Sequence, residues 1–181
     1  MDFWRKRGAV EGAVVLLYVG RISKEKNLDV IDAAWGKIKN TGCRMELAFV
    51  GDGPHLAELR RRVPDAIFTG YLGGDELATA FASADVFLFP STTDTFGNVV
   101  IEAQASGLPC VVSDVGGPKD LVREGVTGFV TRGLDAEDFA TAVARLVNDR
   151  PLRDSMRAAC VLAVANRSWS DAARRFWDAT A

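Results

Sequence analysis

ADVFLFPSTTDTFGNVVIEAQASGLPCVVS, residues 84–113, sets the fold of this chain. DVFLFP (85–90) and PCVVS (109–113) are short apolar runs without a polar face, and NVVIEAQAS (98–106) between them has helical length. A strand that shows no alternation must be covered on both faces, as strands of parallel sheets are. Parallel strands in turn need a crossover, usually a helix, to join them. The stretch therefore reads strand, loop, helix, strand, with an unusually elaborate loop, PSTTDTFGN (90–98), at the first junction.

The same alternation continues outward in both directions. Further strand-length runs are VVLLYV (14–19), MELAFV (45–50), AIFTG (66–70) and GFV (128–130). Helical patterns separate them: 27–38, 55–63, 74–84, 117–125 and 135–148. This predicts a doubly wound, Rossmann-like α/β domain with a six-stranded parallel sheet and helices on both faces. Residues 151–181 read as a tail of two helices, with Ser168 capping the second. There are no repeats or low-complexity linkers, so residues 1–181 read as a single domain.

Composition narrows the function classes. With 181 residues, 48% hydrophobic and 25% charged, the chain can bury a substantial core. A formal net charge of −2 gives no electrostatic case for nucleic-acid binding. Cys43, Cys110 and Cys160 form no CxxC pair and no even-numbered framework, so reduced structural thiols and a cytoplasmic setting are expected. RKR before AVVLLYV imitates a signal peptide, but Glu11 interrupts it and no small-residue cleavage site follows. No apolar stretch reaches the roughly 18 residues that a transmembrane helix needs.

If the strand order is the common 3-2-1-4-5-6, it reverses between the first and fourth strands, and ligands bind beyond their carboxyl ends. The loops there are GRISKEKN (20–27) and PSTTDTFGN (90–98). Gly20 permits a tight turn; Arg21 and Lys26 suit a pyrophosphate, the first as a bidentate fork and the second as a point charge. The alternative is that both are solvated and paired with Glu25 or Asp29. The helix that starts at Gly97 and Asn98 offers free N–H groups and a positive dipole end to an anion. Glu102 could accept from the paired hydroxyls of a ribose, and Asp94 from those of a second sugar beyond the phosphates. Otherwise Asp94 is a plain turn residue and Glu102 a helix-surface acid.

Weaker signals have structural explanations of their own. GDGP (51–54) and GG (116–117) could let a ligand approach, but tight loop geometry accounts for both. His55 stands in the first turn of a helix without a nucleophile beside it, and RRR (60–62) reads as a solvated face. No Asp-x-Asp, HExxH or Cys/His cluster occurs, so neither a metal nor another cofactor is expected. The absence of GxGxxG after the first strand argues against a nicotinamide-dependent dehydrogenase.

Taken in order, VGRISKEKNL, FVGDGP, FTGYL, ADVFLFPSTTDTFGNVVIEAQASGLPCVVSDVGG and EGVTGFV resemble the carboxy-terminal half of retaining glycosyltransferases of GT-B fold, the glycosyl transferases group 1 family. The resemblance covers residues 12 to 150. It implies a nucleotide-sugar donor, with Arg21 and Lys26 on the diphosphate, Glu102 on the ribose and Asp94 on the transferred sugar as the first acid of the acid-x7-acid motif. Phe96, Gly97, Asn98 and Val99 would approach the sugar and phosphates through their backbones, Gly20 would line the same loop, and Tyr71 and Leu72 would border the base. Asp94 stands where many members carry Glu, one methylene longer.

The resemblance further implies transfer of a hexose with retention of configuration to a lipid or small-molecule acceptor, without a metal. STTDTFGNVV is most similar to sulfolipid and phosphatidylinositol-mannoside members. The family's amino-terminal, acceptor-binding domain is missing from these residues, so the isolated chain is expected to be inactive. The full-length enzyme is expected to be cytoplasmic and to meet its acceptor at a membrane surface. The competing reading is a stand-alone nucleotide-sugar-binding or regulatory module without turnover.

Overall fold

The computed structural model describes residues 2–40 and 42–165. Six strands form one parallel sheet: β1 (Val14–Val19), β2 (Met45–Val50), β3 (Ile67–Gly70), β4 (Val86–Phe89), β5 (Cys110–Ser113) and β6 (Gly128–Thr131). Their order is β3-β2-β1-β4-β5-β6, so β1 lies between β2 and β4 and the winding reverses there, as expected. Leu16 at the centre is in register with Leu47 on one side and Val86 on the other, and all three are buried.

The strands are buried because helices cover both faces. A short helix α1 (Asp2–Arg5) precedes β1, and the longer ones are α2 (Leu28–Ile38), α3 (Leu56–Arg62), α4 (Gly74–Ala82), α5 (Asn98–Ala105), α6 (Ala136–Asn148) and α7 (Arg150–Ala165). Right-handed crossovers put the β1–β2 and β2–β3 helices on one face and those of the reversed half on the other. Accordingly α6 returns to pack beside α2, while α7 packs on α5. Tyr18, Phe49, Phe68, Phe87 and Phe89 run as a row of ring contacts across β3, β2, β1 and β4. Burial pushes the Cys110 thiol well up and the Cys160 thiol up to about 12, which makes both poor nucleophiles.

Two sequence expectations need correction, and one stretch carries an element that the sequence pattern does not mark: Asp2–Arg5 form α1, whose buried Trp4 donates an indole N–H to Ala80 O at 3.1 Å. The helix expected over 117–125 is a 3₁₀ helix confined to Gly117–Leu121. Val122 is extended, and the Arg123 N–H that a longer helix would use donates instead to the buried Thr127 hydroxyl at 2.8 Å. RRR (60–62) is not merely solvated: Arg62 clasps Asp29 and Asp32 of α2, and Arg60 lies 5.3 Å over the Phe68 ring. The expected second tail helix and its Ser168 cap lie outside the described residues.

GDGP (51–54) serves the neighbouring loop. Gly20 N–H donates to Val50 O, and Ile22 N–H to Asp52 O, stitching the loop after β1 to the loop after β2. The chains approach so closely that a Cβ on Gly51 would stand 1.9 Å from Gly20 O, at a φ of +137°. Gly51→Ala should therefore destabilise the domain by about 2–4 kcal/mol, from strain and overpacking together. Urea unfolding reads this directly, and an unchanged midpoint would show that the two loops are not locked together.

Candidate functional site

The reversal of winding opens a cleft of about 530 Å³ beyond the carboxyl ends of β1 and β4. Gly20, Arg21, Glu25 and Lys26 line it from the loop after β1; Asp94 through Val99 line it from the loop after β4. The first loop is pinned from below, since Tyr18 on β1 donates its hydroxyl to Arg21 O at 2.9 Å. Burial holds that phenol protonated, well above its ordinary range. The loop ends in a 3₁₀ turn, Lys24–Lys26, followed by Asn27 with φ +55°, the one non-glycine described residue in the left-handed region. Asn tolerates this conformation better than most residues.

Asn27 also ties the two loops together. Its side-chain amide donates to Pro90 O at 3.3 Å and to Thr92 Oγ1 at 2.9 Å. Lys26, one residue earlier, reaches across the same gap and donates to both carboxylate oxygens of Asp94, at 3.0 and 2.8 Å. Ser91, buried two residues past the end of β4, donates its hydroxyl to Asp94 Oδ2. Of the two alternatives for Lys26 in the sequence, neither Glu25 nor Asp29 is its partner; Asp94 is. Glu25 instead accepts from Ser23 Oγ at 2.6 Å, which together with the nearby Arg21 and Lys26 keeps its carboxyl below the usual range.

The second loop is shaped from behind by GG (116–117). Gly117 N–H donates to Asp94 O at 2.9 Å, and a Cβ at Gly117 would stand 1.9 Å from Thr95 O. Only glycine permits that approach, so this pair backs the turn that presents Asp94. Gly97, at φ +87°, then starts α5 with no side chain capping it and no acidic residue in its first turn. Such a helix start presents unclaimed N–H groups and positive partial charge.

Gly20, Arg21, Lys26, Asp94, Phe96, Gly97, Asn98 and Val99 thus converge on one cleft. Three other expected site residues do not border it. Glu102 is exposed on α5, one turn beyond Asn98 on the same helix face. Tyr71 is 83% exposed just past β3, and Leu72 beside it packs against the core. His55 is buried between Glu58 and Asp29, away from the cleft. Sequence reasoning does not single out Ser91 or Asn27. The Ser-x-x-Asp spacing of residues 91–94 and an Asn directly before a helix are local side-chain-bonding signals that could have flagged both.

A second groove, about 470 Å³, lies at the opposite, amino ends of β1 and β4. Its arginines are already engaged: Arg5 with Glu11, Arg150 with Asp154, Arg153 with Leu146 O and Val147 O, and Arg157 with Ala84 O. The helix start at this groove, that of α7, is also taken: Asp149 accepts from Leu152 N–H at 2.9 Å, whereas the start of α5 has no side-chain cap.

Residues 13–149 match the family model described as Glycosyl transferases group 1. A GDP-mannose-dependent alpha-mannosyltransferase of Corynebacterium glutamicum is 37% identical over 166 residues, covering 92% of this chain and 38% of the relative. Sulfoquinovosyl transferase SQD2 of Arabidopsis thaliana is 41% identical over 145 residues, covering 77% of this chain and 28% of the relative. Sucrose-phosphate synthase from Thermosynechococcus elongatus superposes with a TM-score of 0.83 at 25% identity, over 99% of this chain and 47% of that one. The chain therefore spans less than half the length of each of these proteins.

Proposed function

This chain belongs to the glycosyl transferases group 1 family, and on that premise we propose that the cleft between β1 and β4 is the donor site of a retaining hexosyltransferase using a UDP- or GDP-linked sugar. In this reading Arg21 and Lys26 take the diphosphate together with the N–H groups that open α5. Asp94 accepts from hydroxyls of the transferred sugar, Glu102 from the ribose, and the backbone of Phe96–Val99 follows the sugar and phosphates. Tyr71 and Leu72 border the base. The observation that carries the reading is the meeting of a cation, an acid and an uncapped helix start at the point where the winding reverses.

The chemistry follows from charge. Breaking the bond from the anomeric carbon to the β-phosphate oxygen leaves its electron pair on the diphosphate and cationic character on the sugar. Arg21, Lys26 and the α5 dipole stabilise the departing diphosphate, which is electrostatic catalysis aimed at developing charge and uses cationic side chains rather than a metal. The acceptor, a lipid or small molecule, is held by an amino-terminal domain of the full-length enzyme, which works in the cytoplasm at a membrane surface.

Calorimetry of the chain with UDP, GDP and ADP tests the donor-site reading and selects the base; absence of binding to all three would overturn it. Glu102→Ala should weaken nucleosides and nucleoside diphosphates alike, by about 1–2 kcal/mol, because its partner is the ribose. A loss confined to the diphosphates would contradict that role.

A further inference from the structure

The Lys26 ammonium does not stand free in the cleft. It meets both oxygens of Asp94, at 2.8 and 3.0 Å, and the pair is largely withdrawn from solvent, with side chains 18% and 25% exposed. Ser91, buried two residues past the end of β4, donates its hydroxyl to Asp94 Oδ2. Asp94 is therefore fixed in position, and its charge lies against the same cation that the diphosphate would use. Partial burial lets such charges act on one another more strongly than they would in open water.

We infer that Asp94 makes this cleft discriminate against its own product, favouring a sugar-linked diphosphate over the free nucleoside diphosphate. The inference rests on the donor-site reading and adds a specificity role to it. A terminal phosphate takes its second proton near pH ~6, so the free diphosphate carries about one more negative charge at neutral pH than the sugar-linked form. That extra charge is presented to a fixed carboxylate and to an ammonium whose positive charge the carboxylate already balances. The sugar-linked form lacks the extra charge and brings hydroxyls, which the carboxylate accepts from. The same group thus grips the donor before transfer and repels the diphosphate after it. Lys26 keeps one N–H donor for a phosphate oxygen while two go to Asp94. Ser91 acts through Asp94 as a positioning residue: its hydroxyl takes part of the carboxylate's demand and so leaves Lys26 partly available.

Two substitutions test this with opposite signs. Asp94→Asn keeps the shape, removes the charge and releases Lys26. It should tighten GDP and UDP about 5–10-fold, from loss of one partly screened repulsion, while weakening GDP-mannose and UDP-glucose. Ser91→Ala should weaken GDP and UDP about 2–5-fold, because Asp94 then leans wholly on Lys26. General damage to the loop would weaken both variants for every ligand, so the tightening by Asp94→Asn is what a merely structural role cannot produce. Calorimetry of the 181-residue chain and both variants with the four ligands reads all of this. Free diphosphates bound no more tightly by Asp94→Asn, or preferred over the sugar-linked forms by the wild-type chain, would overturn the inference and leave the donor site standing. A wild-type chain that binds none of the four overturns the donor-site reading and this inference with it.

Discussion

The 181-residue chain is expected to bind a nucleoside diphosphate and to transfer no sugar by itself. The groups assigned to the donor diphosphate and its sugar, Arg21, Lys26, Asp94 and the start of α5, all border one cleft within these residues. The acceptor is assigned to a domain outside them, consistent with a chain that spans 38% and 28% of two curated relatives. Transfer needs donor and acceptor held in attack geometry with water excluded, and one open wall supplies neither condition. Well-oriented intramolecular reactions reach effective molarities of about 10⁵–10⁸ M, so the rate loss should amount to several powers of ten. Binding loses only the contacts that the second wall would add. Incubating the chain with labelled GDP-mannose or UDP-glucose and candidate lipid and sugar acceptors, with and without a separately produced amino-terminal domain, tests the division. Efficient transfer by the chain alone would refute it.

Arg21→Ala and Lys26→Ala should each weaken nucleoside-diphosphate binding by about 1.5–3 kcal/mol, the range for hydrogen bonds to charged groups. The double variant should lose about 3–6 kcal/mol if the two act independently, or roughly two to four powers of ten in affinity. The single effects should differ. Arg21 is exposed, so its loss removes a contact and little else. Lys26 is largely withdrawn from solvent and neutralises Asp94. Removing it leaves an unbalanced carboxylate beside the incoming phosphates, which places Lys26→Ala at the upper end of the range. Calorimetry against GDP and UDP measures both, with urea unfolding to show that the variants remain folded. Unchanged affinity in both single variants would move the anion site elsewhere.

Much of this architecture is legible in the chain because parallel sheets carry a local signature. Runs such as VVLLYV and DVFLFP lack a polar face only if both faces are covered, and the helical patterns between them say what covers them. The reversal between β1 and β4 follows the commonest order of such sheets, and it locates the two loops that form the cleft. Local signals mislead where a competing partner lies just outside the window being read. Residues 117–125 have a helical composition, yet the helix stops at Leu121. Val122 turns extended, and the next N–H, that of Arg123, goes to the buried hydroxyl of Thr127, beyond the end of the helical pattern.

The class of fold, the order of its elements and the residue types gathered at the reversal of winding depend on periodicity and on the spacing of charges and glycines. These are local properties, and they can be read along the chain. Which charge meets which is settled only when the sheet assembles. Lys26 and Asp94 are 68 residues apart, and their pairing exists because β1 and β4 are neighbours. Gly117 is needed because Thr95 O of another loop lies 1.9 Å from where its Cβ would be, and Gly51 because Gly20 O does the same. Asn27 looks like an ordinary turn residue until the two loops come together, when its amide joins one loop to the other through Pro90 O and Thr92 Oγ1. Such pairings span the sheet, and hydrogen bonds and close contacts act over a few ångströms of space whatever the separation along the chain.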